Sequence, residues 1–152
     1  MLELKIIQPS RSQCSSPVVM VRKSDGSYRM TIDYRALNSV TKFHAEPPCL
    51  VEEDLHQFAD AKYFSELYLY RVYYQIKLSK NARQYTAFPT RHGLMEFVRL
   101  PFGLVNACSA SAQLMRIVLR GLKNVNFYFD NIYVYGKATI TVSLTDKLKK
   151  GS

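Results

Sequence analysis

Basic side chains gather around one predicted turn and are in excess along the second half of the chain. Arg22, Lys23 and Arg29 flank the turn-forming residues 24–27 (SDGS). Residues 67–152 carry 13 Lys and Arg against 3 Asp and Glu, a net charge of +10, in a 152-residue chain whose net charge is +9. A basic surface of this size attracts polyanions, usually nucleic acid or an anionic membrane, although a solubilising surface has the same composition.

Sulfur and carboxylate groups give weaker signals. Cys14, Cys49 and Cys108 are far apart and form no C-x-x-C pair, so neither a disulfide framework nor a zinc site is predicted. Asp130 and Asn131 lie between two β-rich aromatic runs, where an Asp side chain stabilises a tight turn. No apolar run approaches the roughly 18 residues of a membrane-spanning helix, and no signal peptide is evident, so we expect an intracellular protein without a membrane partner.

The elements that must position these residues are short and mostly extended. Pairs of β-rich runs around turn residues predict hairpins, and apolar residues at helical spacing predict two helices. The inventory therefore predicts a largely antiparallel α+β fold. The predicted elements are a hairpin over 18–34, a helix over 51–58, strands over 63–69, 75–78, 85–88 and 94–99, a helix over 106–123, and a hairpin over 127–135.

Seven short motifs, in this order along the chain, carry a resemblance to a known family. Over residues 6–136 the chain resembles the fingers and palm of a reverse transcriptase, the RNA-directed DNA polymerase of the Pol polyprotein of Ty3/gypsy-class LTR retrotransposons. The motifs are SPVV (16–19), IDYRALN (32–38), AKYFS (61–65), YYQI (73–76), TAF (86–88), LPFGL (100–104) and YFDN (128–131).

The resemblance implies a reverse-transcriptase-like fingers and palm fold. We expect residues 1–136 to form a single compact unit, in which residues 60–136 make an antiparallel palm sheet backed by both helices and the 18–34 hairpin projects as fingers. No thumb segment is matched, and residues 137–152 are expected to be a divergent C-terminal tail, so the chain is interpreted as a degenerate and truncated copy. Ser111 stands where the family has a large aromatic core residue.

The family's reaction is two-metal nucleotidyl transfer, in which aspartates hold two Mg²⁺ ions about 3.5–4 Å apart. The resemblance places the three aspartate positions at Tyr68, Asp130 and Asn131, so one carboxylate remains. A phenol is neutral at pH 7 and an amide oxygen adds no charge, which makes these residues a poor match for Mg²⁺. Asp130 is then either a remnant catalytic and metal-binding residue or the carboxylate of a tight turn, and Glu66 is expected to start too far along its strand to substitute.

The nucleotide-binding positions of the family are better matched. By resemblance, Lys23 and Arg29 correspond to the cations that meet the incoming triphosphate, and Tyr73 corresponds to the aromatic residue under the nucleotide sugar. Phe102 and Gly103 correspond to the turn beside the nucleotide and template. The alternatives are a solvated hairpin tip for the two cations and simple core packing for Tyr73.

These observations predict a retrotransposon-derived domain that binds RNA/DNA primer–template but does not polymerise. An inert structural or pseudogene product and a weakly active polymerase are the alternative interpretations. The retained cations support binding, whereas the substitutions at positions 68 and 131 argue against catalysis. An active enzyme would need further polymerase subdomains or a partner subunit.

Overall fold

The computed structural model describes residues 1–45 and 61–137, whose elements gather around two separate hydrophobic clusters. The chain divides into a first unit, Met1–His44 with Tyr73–Ala107, and a second unit, Ala45–Val72 with Cys108–Ser152. The sequence predicted one compact unit over residues 1–136, but each unit here buries its own set of apolar side chains. The predicted helix over 51–58 and residues 138–152 of the predicted tail lie outside the described residues.

The first unit contains a three-stranded antiparallel sheet and a separate hairpin. Its elements are β1 (Ile7–Pro9), β2 (Val18–Arg22), β3 (Tyr28–Ile32), α1 (Arg35–Val40), a 3₁₀ turn over Val72–Gln75 that enters the unit, α2 (Lys80–Arg83), a 3₁₀ turn over Gln84–Thr86, β5 (Phe88–Thr90) and β6 (Gly93–Phe97). The sheet has the strand order β1-β6-β5, and β2 pairs with β3. The hairpin predicted over 18–34 is therefore confirmed.

The core of the first unit depends on one buried tyrosine and one buried threonine. The Tyr34 hydroxyl donates to the carbonyl of Thr86 at 3.0 Å, and burial raises the pKa of Tyr34 well above its usual range. The Thr86 hydroxyl donates to the Arg83 carbonyl at 2.7 Å and accepts the Phe97 N–H at 2.9 Å. Each buried polar group is thus satisfied within the apolar cluster. That cluster consists of Ile6, Ile32, Tyr34, Phe88, Met95 and Phe97.

A buried carboxylate ties the first strand to this sheet. Glu96 on β6 is only 9% exposed, and it accepts hydrogen bonds from Gln8 Nε2 at 2.7 Å and Ser10 Oγ at 2.6 Å. Gln8 lies directly opposite Glu96 in the β1–β6 register. Both carboxylate oxygens are therefore paired, which is the usual condition for burying such a group.

Two of the predicted strands are wrong. Of residues 75–78, Gln75 ends the first 3₁₀ turn and Lys77 forms only an isolated bridge with Arg99. Of residues 85–88, the first two belong to the second 3₁₀ turn, Gln84–Thr86, and only Phe88 lies in a strand, β5. The Thr86 hydroxyl bonds described above hold this second turn, so tertiary contacts override a β-rich local sequence. The strand predicted over 94–99 is confirmed as β6, but it belongs to the first unit and not to the palm sheet predicted over 60–136.

The second unit contains the palm sheet and its backing helix. Its elements are β4 (Tyr63–Tyr68), α3 (Ala107–Leu119), β7 (Val125–Tyr128) and β8 (Asn131–Gly136). Ala107, the first residue of α3, is counted with the first unit. The antiparallel strand order is β4-β8-β7, so the strand predicted over 63–69 and the hairpin predicted over 127–135 are confirmed. One face of the sheet packs on α3. The shared cluster consists of Ala112, Met115, Leu119, Phe127, Ile132 and Val134.

The helix α3 ends at Leu119, four residues before the predicted end at Lys123. Gly121 has a φ of 76°, a left-handed conformation that glycine adopts readily and that commonly terminates helices. The N–H of Leu122 then bonds to the Leu119 carbonyl at 3.0 Å. Within α3, Ser111 is 2% exposed, and its hydroxyl has no hydrogen-bond partner among the described residues.

We predict that Ser111→Ala stabilises the protein by about 1 kcal/mol, because it removes a buried hydroxyl that lacks a partner and raises helix propensity. Urea unfolding followed by circular dichroism measures the change. The matched control is Ser39→Ala, whose exposed hydroxyl donates to the Ala36 carbonyl at 2.8 Å. That control is expected to leave stability unchanged or slightly lower, and an equal gain in both variants would contradict the explanation.

Candidate functional site

The cations predicted to bind phosphate lie around the tip of the β2–β3 hairpin. Lys23 immediately follows β2, Arg29 lies on β3 opposite Val21, and both side chains are exposed. The turn is closed by a bond from the Lys23 N–H to the Ser27 carbonyl at 2.8 Å. Asp25 Oδ1 accepts bonds from the Ser27 N–H and hydroxyl, which, with the charge of Arg29, lower the pKa of Asp25. The tip is therefore a defined turn that presents cations to solvent.

The two aromatic residues predicted to bind nucleotide are in contact within the first unit. The rings of Tyr73 and Phe102 meet edge to face with centroids 4.7 Å apart, and Tyr74 makes a similar contact with Phe102 at 5.6 Å. Phe102 is nevertheless 50% exposed. Tyr73 thus packs against Phe102, whose ring is still half exposed. This arrangement fits both interpretations of Tyr73, core packing and contact with a ligand.

Asn38 positions the turn that carries Phe102 and Gly103, a role that was not predicted from the sequence. Its Nδ2 donates to the Gly103 carbonyl at 2.8 Å, and its Oδ1 accepts the Val105 N–H at 2.9 Å. Gly103 has a φ of 93°, which a residue with a side chain would adopt only with strain. In the sequence, Asn38 is marked only by its position at the end of the IDYRALN motif. Its hydrogen-bond partner Gly103, 65 residues further along the chain, is seen only in the structure.

The three positions of the expected metal site meet at one corner of the second unit. Asn131 begins β8 and lies opposite both Tyr68 on β4 and Tyr128 on β7. Asp130 is in the two-residue turn between β7 and β8, and its carbonyl accepts the Leu69 N–H at 2.7 Å. The three positions that the resemblance assigned to metal ligands are therefore neighbours in the sheet, although about 60 residues of chain separate Tyr68 from the other two.

The phenol of Tyr68 interacts with the carboxylate of Asp130. Hydrogen bonding to this carboxylate and its negative charge raise the pKa of Tyr68 above its ordinary value of 10.0. Asn131 Nδ2 donates to the Tyr133 hydroxyl at 3.3 Å. Each of the three residues is thus engaged within the corner.

These residues do not fit a pair of divalent cations. One carboxylate, a neutral phenol and an amide supply a single negative charge for ions that prefer several carboxylate oxygens. Glu66 lies opposite Tyr133, two residue pairs along the sheet from Tyr68. Among residues 1–45 and 61–137, no three His, Cys, Asp or Glu side chains are grouped so as to hold a metal.

The chain belongs to the reverse transcriptase family: the family model described as "Reverse transcriptase (RNA-dependent DNA polymerase)" matches residues 21–149. The match extends beyond Gly136 and includes most of the segment predicted to be a divergent tail. In the described part of the chain, no helix is long and apolar enough to cross a membrane.

Relatives and solved structures are consistent with the Ty3/gypsy resemblance. The chain is similar to the Pol polyproteins of two Drosophila melanogaster transposons, 412 and gypsy, with 35% identity over 140 residues and 87% of the chain in each case. It spans only 11% and 14% of their lengths. A foamy viral protease-reverse transcriptase solved in complex with RNA/DNA hybrid has a TM-score of 0.78 at 25% identity, over 98% of this chain and 20% of that one. The predicted α+β reverse-transcriptase-like fold is confirmed.

We predict that Asp130→Asn lowers the pKa of Tyr68 towards its ordinary value, because the charged acceptor of the phenol is removed. In the unaltered protein, the neutral phenol is retained as the pH rises through 10 and is lost only above it. Alkaline difference spectroscopy, with Tyr68→Phe subtracted in each background, isolates this tyrosine among 11. An unchanged transition after Asp130→Asn would contradict the assigned hydrogen bond.

Proposed function

We propose that this chain is a reverse-transcriptase-derived module that binds nucleic acid and does not catalyse nucleotidyl transfer. The single observation that carries the proposal is the strand register, which places a phenol and an amide, Tyr68 and Asn131, beside Asp130, the one carboxylate retained at the three expected metal positions. The family generally depends on Mg²⁺. The lost charges make this corner unable to replace the hydration shell of two such ions.

The charge of the first unit supports the binding half of the proposal. Residues 1–44 and 73–107 contain 12 Lys and Arg against 4 Asp and Glu, a net charge of +8 out of +9 for the whole chain. This is the unit that carries Lys23, Arg29, Tyr73 and Phe102. A polyanion is therefore expected to bind chiefly to the first unit, and primer–template or RNA is the class that the family relationship favours.

The first test compares two triple variants that remove the same charge. Arg22→Ala/Lys23→Ala/Arg29→Ala removes the hairpin cations, and Lys5→Ala/Arg11→Ala/Arg91→Ala removes three other exposed cations of the same unit. We expect the unaltered chain to bind a primer–template with a dissociation constant of roughly 10⁻⁴–10⁻⁶ M near physiological salt, with affinity falling steeply as salt rises. The hairpin variant is expected to bind more weakly than the matched variant by fluorescence anisotropy.

Two outcomes of this test would contradict the proposal. Equal losses in both triple variants would mean that the hairpin has no special role in binding. Absence of binding at low salt would leave the inert-product interpretation.

The second test restores the lost carboxylates. We expect Tyr68→Asp, alone or with Asn131→Asp, to bind Mg²⁺ measurably by calorimetry. The corner then holds two or three carboxylates in all, Asp130 included. Asn131→Asp alone is expected to give no measurable heat, because the Tyr68 phenol still occupies Asp130. The matched control is Tyr63→Asp, which adds a carboxylate at the other end of β4.

Primer extension is the direct test of inactivity. With Mg²⁺ or Mn²⁺, the unaltered chain is expected to add no nucleotides to an RNA or DNA primer–template. Robust extension, with contaminating polymerase excluded by the Asp130→Ala variant, would overturn the proposal and support the weakly active polymerase.

A further inference from the structure

The corner of the second unit at which metal ligands are expected presents exposed aromatic rings instead. Tyr68 and Tyr70 are each 68% exposed, and Tyr128 and Phe129 are 39% and 42% exposed. Isolated aromatic residues are ordinary on protein surfaces, but a group of this kind at the end of one sheet is not. We call Tyr68, Tyr70, Arg71, Tyr128 and Phe129 the aromatic corner.

The strand register places two of these rings on one face of the sheet. Tyr68 and Tyr128 lie in the same cross-strand row, with Asn131 between them on β8. Neighbouring strands are about 4.7–4.9 Å apart, so the two tyrosine-bearing strands are separated by roughly 9–10 Å. The rings of Tyr128 and Phe129 meet with centroids 4.5 Å apart. The corner therefore offers more than one flat, exposed surface.

Backbone strain and a cation accompany the rings. Arg71 and Phe129 both have a φ of 53°, a left-handed conformation that is uncommon for bulky residues and that tends to concentrate at functional sites. The bond between Leu69 N–H and the Asp130 carbonyl holds these two segments together. The Arg71 guanidinium lies 4.8 Å from the centroid of the Tyr70 ring, a cation–π contact.

We propose that the aromatic corner binds an unpaired nucleobase of single-stranded nucleic acid by stacking, with Arg71 meeting the adjoining phosphate. The inference rests on the proposed nucleic-acid binding and assigns it a second, non-electrostatic part. Aromatic faces next to an arginine are the usual platform for single strands, because every base has a π face and every nucleotide a negative charge. A protein partner would contact the same rings, but its binding would not depend on a nucleobase.

The experiment separates bases from phosphates. Binding of a thymidine oligonucleotide about 12 nucleotides long is compared with binding of an abasic oligonucleotide of the same length and charge, at raised salt where electrostatic attraction is weak. We expect the unaltered chain to prefer the base-bearing strand by about fivefold or more. Tyr68→Ala should abolish this preference, and Tyr68→Phe should retain it, because the ring remains while the bond to Asp130 is lost.

The control is Tyr63→Ala, which removes a 56% exposed ring at the other end of the same strand and should leave the preference unchanged. Equal binding of the two oligonucleotides, or a preference that survives Tyr68→Ala, would overturn the stacking proposal while electrostatic binding stands. No binding of either oligonucleotide at any salt would overturn both proposals. A Tyr68→Ala variant that changes only the oligomeric state in sedimentation would make the corner a contact between copies and also overturn stacking.

Discussion

The pairing of β8 with both of its neighbours is the constraint on which the functional corner depends. Because Asn131 lies opposite Tyr68 on one side and Tyr128 on the other, the turn residue Asp130 comes next to the end of β4. A slip of one residue in either ladder would turn every side chain of that strand to the opposite face. The meeting of Tyr68, Asp130 and Asn131 is thus a property of the strand register and not of their side chains.

That register is held by the buried face of the sheet. Phe127, Ile132 and Val134 pack against α3, and their alternation with more polar neighbours allows only one pairing that buries all of them. The opposite face is buried in part, since Asn126 and Tyr135 are 6% and 4% exposed, but Tyr68 at the turn end is 68% exposed. A substitution at position 68 therefore leaves the core of this sheet unchanged.

The first unit is held by different interactions, which concern the candidate binding residues. Asn38 bonds to both sides of the turn that carries Phe102, and the Tyr34 and Thr86 hydroxyls satisfy backbone groups that would otherwise be buried without partners. None of these bonds involves a residue of the metal corner. The candidate phosphate-binding residues and the corner that carries Tyr68 and Asp130 therefore depend on separate sets of contacts, so a substitution in one set leaves the other in place.

The sequence by itself determined both hairpins, the strand that ends at Tyr68, the helix α3 and the family. Each of these follows from local periodicity, turn chemistry or contiguous motifs. The resemblance also predicts that Tyr68 and Asn131 stand at metal-ligand positions. Prediction from the sequence failed for residues 75–78, which contribute an isolated bridge and no strand, and for residues 85–88, of which only Phe88 lies in a strand. The 3₁₀ turn at Gln84–Thr86 is held by the bond from the Phe97 N–H to the Thr86 hydroxyl, a partner 11 residues away along the chain.

Only the tertiary structure decided which residues share a unit. Charge counted along the chain places the excess after residue 67, whereas the fold combines residues 1–44 with 73–107 and concentrates a net charge of +8 there. It also decided that Tyr68 lies opposite Asn131, next to the turn that carries Asp130, and that exposed rings lie at the same end of the sheet. The physical reason is that hydrogen bonds and charge–charge attraction act through space, between residues that only chain folding brings within reach.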